Sequence, residues 1–321
     1  MRVAFVAKGG SGKTTVSSLF VRYALSQGKQ VTAIDGDMNQ HLSTALGLNL
    51  DALKIKDLGN NEARLRELLG SNHAYIEDIK QMIESTPAGE GSHLFTSNSS
   101  SPVWDEFSYK QENLRFLTAG AFKNENMAET CYHTYTGAVT MFLNHFIDRK
   151  DELVVVDMTA GSDPYTSGMF SRFDAVVLVL EPTLKSMAVY DQCMQYGKDY
   201  DIPLYVVANK IEDNSDLEFI KEKVGGDLIA YMVSSTFIRQ QERGVWQDID
   251  CLEIENLKAL HIVLEKVMAT PKDWDKYQKF GEKFHQIKAE GWGNAIYGGD
   301  LMKQVDPNFS YAKIAKSMEA L

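Results

Sequence analysis

The chain has little cysteine: Cys131, Cys193 and Cys251 are the three among 321 residues, and they stand far apart. An odd, sparse set offers no disulfide framework, which excludes a stapled secreted fold and fits a reducing compartment. Positive charge is also in short supply. Lys and Arg total 33 against 44 Asp and Glu, a net charge of −11. Gripping nucleic acid along a surface requires phosphates to be neutralised, so this balance argues against broad DNA or RNA binding. It leaves room for a small local basic patch. No apolar run approaches the roughly 20 residues that cross a bilayer. The sequence enters a strand pattern at Val3 with no leader-like segment ahead of it, so the expected location is cytoplasmic. Internal repeats and low-complexity tracts are absent. What remains is an ordinary globular composition, 44% apolar and 24% charged. The length suits one large domain with an appendage.

Short apolar runs alternate with amphipathic stretches. Runs at 3–7, 31–34, 114–117, 153–156, 175–180, 204–208 and 228–233 read as strands. Several are apolar throughout, as strands buried on both faces of a parallel sheet are. The alternation predicts an α/β fold, a doubly wound and mostly parallel sheet with helices on both faces. An insert at about 51–113 interrupts the rhythm. Within it Leu65, Leu68, Leu69, Tyr75, Ile76, Ile79 and Ile83 suggest two helices, and the Gly/Ser/Asn-rich stretch 87–102 reads as a loop. A further helix is expected over 136–146. The rhythm stops near Pro271, so the sequence divides into a main domain, 1–270, and a helical C-terminal extension, 271–321. The extension opens with a helix carrying Trp274, Tyr277, Phe280, Phe284 and Ile287 on one face. Core packing and a docking surface both suit that stripe. A Gly/Asn-rich break at 291–299 and a short helix near 311–321 follow.

The densest signal lies at the start. Lys8-Gly9-Gly10-Ser11-Gly12-Lys13-Thr14-Thr15 follows an apolar run and precedes an amphipathic stretch whose inner face holds Val16, Leu19, Phe20 and Tyr23. Strand, glycine-rich loop and helix in that order form a phosphate-binding loop. Glycines let backbone N–H groups close around an anion, and the helix N-terminus adds positive potential. Gly9, Gly10, Ser11, Gly12, Lys13, Thr14 and Thr15 are therefore the candidate nucleotide cradle. Lys13 supplies a point charge for the β/γ-phosphates, and the Thr14 hydroxyl is a magnesium ligand. Lys8 is an extra lysine at the head of the loop.

Further motifs stand at strand ends, where a parallel sheet opens its ligand crevice. Asp35-Gly36-Asp37 closes the second strand. Asp37 suits a water-orienting role at the γ-phosphate and Asp35 a place in the magnesium shell; a pair of merely solvated carboxylates is the bland alternative. The run Leu153–Val156 ends in Asp157, which holds a magnesium water in the manner of a Walker B carboxylate. Ala160-Gly161 leaves the next loop free to respond to the γ-phosphate. Asn209-Lys210 ends the strand at 204–208, where the amide can meet a purine edge and the lysine stem can cover the base. A guanine reader needs Asp two residues after the lysine; Glu212 stands there, which tilts the base to adenine. Glu181-Pro182-Thr183 is either a crevice element or a plain turn.

With these residues assembled, the chain resembles the MinD/ParA group of deviant Walker A ATPases within the SIMIBI class of P-loop NTPases. The resemblance rests on the loop from Lys8 to Thr15, Asp35-Gly36-Asp37, Asp157-Met158-Thr159-Ala160-Gly161, Glu181-Pro182-Thr183 and Asn209-Lys210, in that order. It covers about residues 1–250 apart from the insert. The Asp-x-x-Ala-Gly and Glu-Pro-Thr details look most like the nickel-insertion ATPases that mature carbon monoxide dehydrogenase. The resemblance implies a P-loop ATPase domain at 1–270 that binds ATP and Mg²⁺ and hydrolyses ATP slowly. It implies a homodimer sandwiching two nucleotides, in which Lys8 reaches the partner's ATP. Lys8, Lys13 and Asp37 would then be the catalytic residues. Gly9 to Thr15, Asn209, Lys210 and Pro182 would hold the nucleotide, and Thr14, Asp35 and Asp157 the magnesium.

One departure concerns metal. The nickel-insertion ATPases carry a Cys-x-Cys pair at the dimer interface, whereas this chain has Cys131-Tyr132-His133 in a comparable stretch. A Cys and a His from each protomer make a four-ligand site for Zn²⁺ or Ni²⁺ across a two-fold axis; a small buried cysteine and a hydrogen-bonded histidine are the plain alternative. His145, His285, Cys193 and Cys251 have no ligand spacing and read as structural. The terminal stretch with Lys313, Ile314, Lys316, Met318 and Leu321 is short and weakly basic, too small for stable membrane anchoring. The leading expectation is an ATP-dependent dimerisation switch that assists maturation or metal insertion of a client protein. A positioning ATPase on DNA or a membrane and a small-molecule phosphotransferase are the alternatives, and the acidic charge opposes the first of these two.

Overall fold

Each apolar run forms a strand in the computed structural model, which describes residues 1–121, 133–161 and 168–319. The strands are β1 (Arg2–Ala7), β2 (Gln30–Gly36), β3 (Tyr109–Gln111), β4 (Leu114–Thr118), β5 (Glu152–Met158), β6 (Ala175–Leu180), β7 (Leu204–Ile211) and β8 (Leu228–Val233). Their order in one sheet is β3-β4-β2-β5-β1-β6-β7-β8. The pairs β1–β5, β1–β6, β2–β5, β6–β7 and β7–β8 are all parallel. All residues of β1, β5 and β6 are buried, which is why those segments read as unbroken apolar runs. The first crossover moves from β1 to β2, on the far side of β5, and β6 lies on β1's other flank. That reversal opens a crevice beyond the C-terminal ends of β1, β5 and β6, where a doubly wound sheet binds its ligand.

The chain divides into two compact units. The first holds Met1–Lys54, Lys110–Phe116 and Asp151–Pro271. Its helix α1 (Lys13–Ser26) buries Val16, Leu19 and Phe20, with the Phe20 ring 5.3 Å from Phe5. Gly28, in the left-handed region at φ 74°, ends α1 as its place after the last turn suggests.

The second unit holds Ile55–Tyr109, Leu117–Lys150 and Lys272–Leu321. The extension is therefore grouped with the insert and with the helix His133–His145, rather than standing apart as the boundary at 270 suggests. Of the two helices expected in the insert, Glu62–Gly70 forms. The second is replaced by a single 3₁₀ turn, Ile79–Gln81. Side-chain oxygens take the backbone donors that a helix needs: Lys80 N–H donates to Asp78 at 3.0 Å and Ile83 N–H to Thr86 Oγ1 at 3.1 Å. The stretch after Pro87 is a loop, but a packed one. Phe95 is fully buried, pairs its backbone with Phe146, and meets the rings of Trp104, Phe142 and Phe146 at 5.1–5.6 Å.

In the extension, the helix Trp274–Lys288 turns Tyr277 and Phe280 inward. The buried face then passes to Gly281 and His285, so Ile287, expected on the stripe, is exposed. Trp274 stacks on Tyr311 at 5.9 Å, and the Tyr311 hydroxyl donates to Asn144 O at 2.6 Å. This half of the stripe is core packing. Within the Gly/Asn-rich break the chain forms a π-helical turn, Ala289–Gly293, and a short helix, Asn294–Tyr297, closed by Gly298. No helix among the described residues is long and apolar enough to cross a membrane.

Candidate nucleotide site

The loop between β1 and α1 is shaped by its glycines and pinned by its neighbours. Gly12 is left-handed at φ 86°, and a Cβ there would collide with the Asn209 amide. Ser11 N–H closes a turn onto Lys8 O at 3.1 Å. Asn209 Nδ2 donates to Ser11 O at 2.9 Å, and Lys210 Nζ to Gly10 O at 2.7 Å. Ser11 Oγ meets Ser186 Oγ at 3.2 Å, and Gly161 N–H donates to Ala7 O at 2.7 Å. The first N–H groups of α1 have no intrahelical acceptor and face the crevice with the positive end of the helix behind them. A rigid ring of backbone donors at such a terminus is an anion cradle.

Charges converge beneath it. Lys13 Nζ lies 2.8 Å from Asp157 Oδ2 and 3.2 Å from Asp37 Oδ2. Thr14 Oγ1 donates to Asp157 Oδ2 at 2.7 Å, and Ser17 Oγ to Asp157 Oδ1 at 3.0 Å. Asp37 Oδ1 accepts both the N–H and the side-chain amide of Asn39, at 3.0 and 2.9 Å. Sheet register sets Asp35 opposite Asp157. Asp35 is fully buried and accepts N–H bonds from Leu42 at 2.9 Å and Asp37 at 3.2 Å. Burial, with the Asp157 charge beside it, pushes the Asp35 carboxyl up to about 8, so it is neutral at neutral pH. Its bonds hold the turn after β2 in shape.

Ser17 escaped the sequence reading. It stands three residues after Thr14, on the same helix face, and that spacing of hydroxyls was the available signal. Thr14, Ser17 and Asp157 present oxygen donors only, which fits a hard cation that shares its shell with phosphate. Among the described residues no group of three or more His, Cys, Asp or Glu is arranged to hold a metal. Cys131 and the side chain of His133 lie outside the described residues. Cys193 is buried, and burial pushes its thiol up to about 12; Cys251 is exposed. His145 and His285 are buried, and both bond to backbone carbonyls, of Met141 at 2.9 Å and of Leu301 at 3.0 Å.

The loop's other lysine takes a different position. Lys8 Nζ lies 3.3 Å from Glu181 Oε1 and 3.0 Å from Gly9 O, with 30% of its side chain exposed. Lys210 contacts the other oxygen of the same carboxylate at 3.1 Å. Pro182 links β6 to the helix Leu184–Gly197, whose first turn the Thr183 side chain caps. Asn209 and Lys210, expected at the base, are thus engaged with the loop itself.

A cavity of about 620 Å³ adjoins the cradle, lined by Thr14, Thr15, Ser18, His41, Gln241 and Trp246 among others. Arg22 of α1 braces its far wall. The guanidinium lies 5.2 Å from the Phe237 ring centre and 5.6 Å from that of Trp246, and donates to Gln241 Oε1 and Gln247 O. Arg22, Phe237, Gln241, Trp246 and Gln247 belong to no recognisable motif, so this wall was invisible in the sequence.

Residues 3–242 match the CobQ/CobB/MinD/ParA nucleotide binding domain. The chain is similar to an uncharacterised ATP-binding protein of Methanocaldococcus jannaschii, 28% identical over 240 residues, 72% of this chain and 84% of that protein. It is also similar to the carbon monoxide dehydrogenase accessory protein CooC of Rhodospirillum rubrum, 24% identical over 225 residues, 70% of this chain and 79% of that one. Among solved structures, the MinC:MinD cell division protein complex of Aquifex aeolicus has the same fold, with a TM-score of 0.51 and 16% identity over 85% of this chain and 97% of that one. The cell division ATPase MinD of Pyrococcus furiosus gives 0.50 and 18% identity over 83% and 97%. The chain belongs to the CobQ/CobB/MinD/ParA nucleotide-binding family, as an ATPase of the MinD/ParA type.

Proposed function

We propose that this ATPase is an ATP-dependent dimerisation switch in the cytoplasm that hydrolyses slowly and assists maturation or metal insertion in a client protein. The observation that carries the reading is the division of labour between the loop's lysines. Lys13 is buried between Asp37 and Asp157, beneath the loop amides, which supports its role at the β/γ-phosphates. Lys8 is part-exposed and paired with Glu181 instead. A part-exposed cation suits a second copy's nucleotide. A lysine supplied in trans ties hydrolysis to association, because a lone protomer lacks that charge at the transition state.

In this reading the loop amides and Lys13 hold the phosphates, Thr14 and Asp157 hold Mg²⁺, and Asp37 orients the attacking water. Magnesium held by Thr14 and Asp157 would supply positive charge to the phosphates. Phosphate competes with Asp157 for Lys13. The cavity beside Thr15, with Trp246 and Gln241 in its lining, has room for the nucleoside. The client role draws support from the likeness to an accessory protein of carbon monoxide dehydrogenase. An interfacial transition metal on Cys131 and His133 belongs to the same proposal. Lys8→Ala is the test. It keeps nucleotide binding, measured by calorimetry, and loses both ATP-induced association and hydrolysis. Hydrolysis at the wild-type rate in that variant overturns the trans role.

A further inference from the structure

Glu181 has one carboxylate and two lysines. Its Oε1 takes Lys8 at 3.3 Å, and its Oε2 takes Lys210 at 3.1 Å. The carboxylate is held in place from several sides. Pro182 restricts the residue before it to extended backbone. Glu181 N–H donates to Ser186 Oγ at 3.3 Å, and that hydroxyl touches Ser11 of the loop. Lys210 approaches from β7 in a left-handed conformation, φ 60°, which for a lysine is kept only under constraint. Its Nζ is anchored a second time on Gly10 O. Partial burial works against charge on Glu181, yet hydrogen bonds from Lys210 and Lys8 hold its carboxyl below the usual range.

The bonds to Glu181 and Gly9 O keep Lys8 on its own protomer, while Lys210 competes for the same carboxylate. To reach a nucleotide bound elsewhere, Lys8 must leave both Glu181 and Gly9 O. We infer that Glu181 is a positioning residue that parks Lys8 in cis in the nucleotide-free protomer and so sets the nucleotide level at which two copies join. The inference rests on the trans-lysine reading above and extends it to regulation. Lys210 tunes the latch by sharing the carboxylate. A partly exposed ion pair of this kind is worth a few-fold in an equilibrium, here about fivefold. A two-fold dimer releases two latches, so the association constant carries the square, about 25-fold.

The experiment titrates a non-hydrolysable ATP analogue into the full-length wild type, Glu181→Gln and Lys210→Met, following mass by sedimentation velocity. Two analogues bind per dimer, so E181Q reaches half-association at about fivefold less analogue. K210M leaves the whole carboxylate to Lys8 and moves the midpoint up. A merely structural role moves both variants the same way. A second readout is the rate at which an amine-acylating reagent modifies Lys8 in nucleotide-free protein, located by mass spectrometry; E181Q speeds it. An unshifted or raised E181Q midpoint overturns the inference, as does a common direction for both variants. Association with unchanged Lys8 acylation overturns the latch alone. Faster acylation in a chain that never associates overturns the regulatory role and identifies the trans-lysine reading as what failed.

Discussion

Both units bury polar groups, to different ends. In the second unit several buried groups tie one segment to another. His285 meets Ser85 Oγ at 3.2 Å and Leu301 O at 3.0 Å. Gln304 accepts from Thr86 and donates to Gln81 O, both at 3.0 Å. Asp148 is buried against Lys272 at 2.7 Å. These bonds close the fold. In the first unit Lys13, Asp35, Asp37 and Asp157 crowd together at the ends of β1, β2 and β5. One cation among three carboxyl groups is an imbalance that costs stability, and a neutral Asp35 relieves it only in part. Paired polar groups mark a scaffold; an unbalanced buried cluster under a ring of N–H groups marks a ligand that brings charge of its own.

The contrast is probed most strongly by removing one lysine from each unit, each bonded to a buried carboxylate. Lys13→Ala takes away the cradle's point charge, and ATP hydrolysis, followed by phosphate release, falls about 10²–10³-fold. Survival within tenfold of wild type would falsify the assignment of the phosphate loop. Lys272→Ala removes a cation bonded to buried Asp148, and denaturant unfolding shows a loss of stability, at most about 3–5 kcal/mol. At temperatures where the variant stays folded its hydrolysis rate is unchanged; a rate that collapses with stability intact makes the second unit part of the site. The smallest effect belongs to Asn209→Ala. It unfastens the Ser11 carbonyl, and nucleotide affinity drops by about 1 kcal/mol, roughly fivefold. Unaltered affinity shows that the loop holds its shape without that bond.

The contrast also explains what was legible in the sequence. A phosphate loop is built from consecutive residues, so its glycines and lysines sit at fixed spacing whatever surrounds them. Strands buried on both faces reveal themselves by apolarity alone, and Asp157 follows from its place at the end of one. The second unit draws on segments remote in the chain. Phe95 packs on Phe146, and Tyr311 bonds to Asn144, partners that no periodicity records. Ile76, Ile79 and Ile83 mimic a helix because a loop packed into a core also needs apolar residues at close intervals. Asp78 and Thr86, which take the backbone donors there, carried the opposite signal. Glu181 reads equally as a crevice element or a turn, since the lysines it joins come from the loop after β1 and from β7, far away in sequence.

Subunit mixing asks whether a second copy completes the site, as proposed above. Lys8→Ala binds ATP but lacks the part-exposed lysine; Lys13→Ala keeps Lys8 but lacks the cradle's charge. Each alone is inactive. Mixed, the K13A protomer lends its Lys8 to the nucleotide held by the K8A protomer, and phosphate release reappears in proportion to the mixed dimer. A mixture no more active than its separate components contradicts the account.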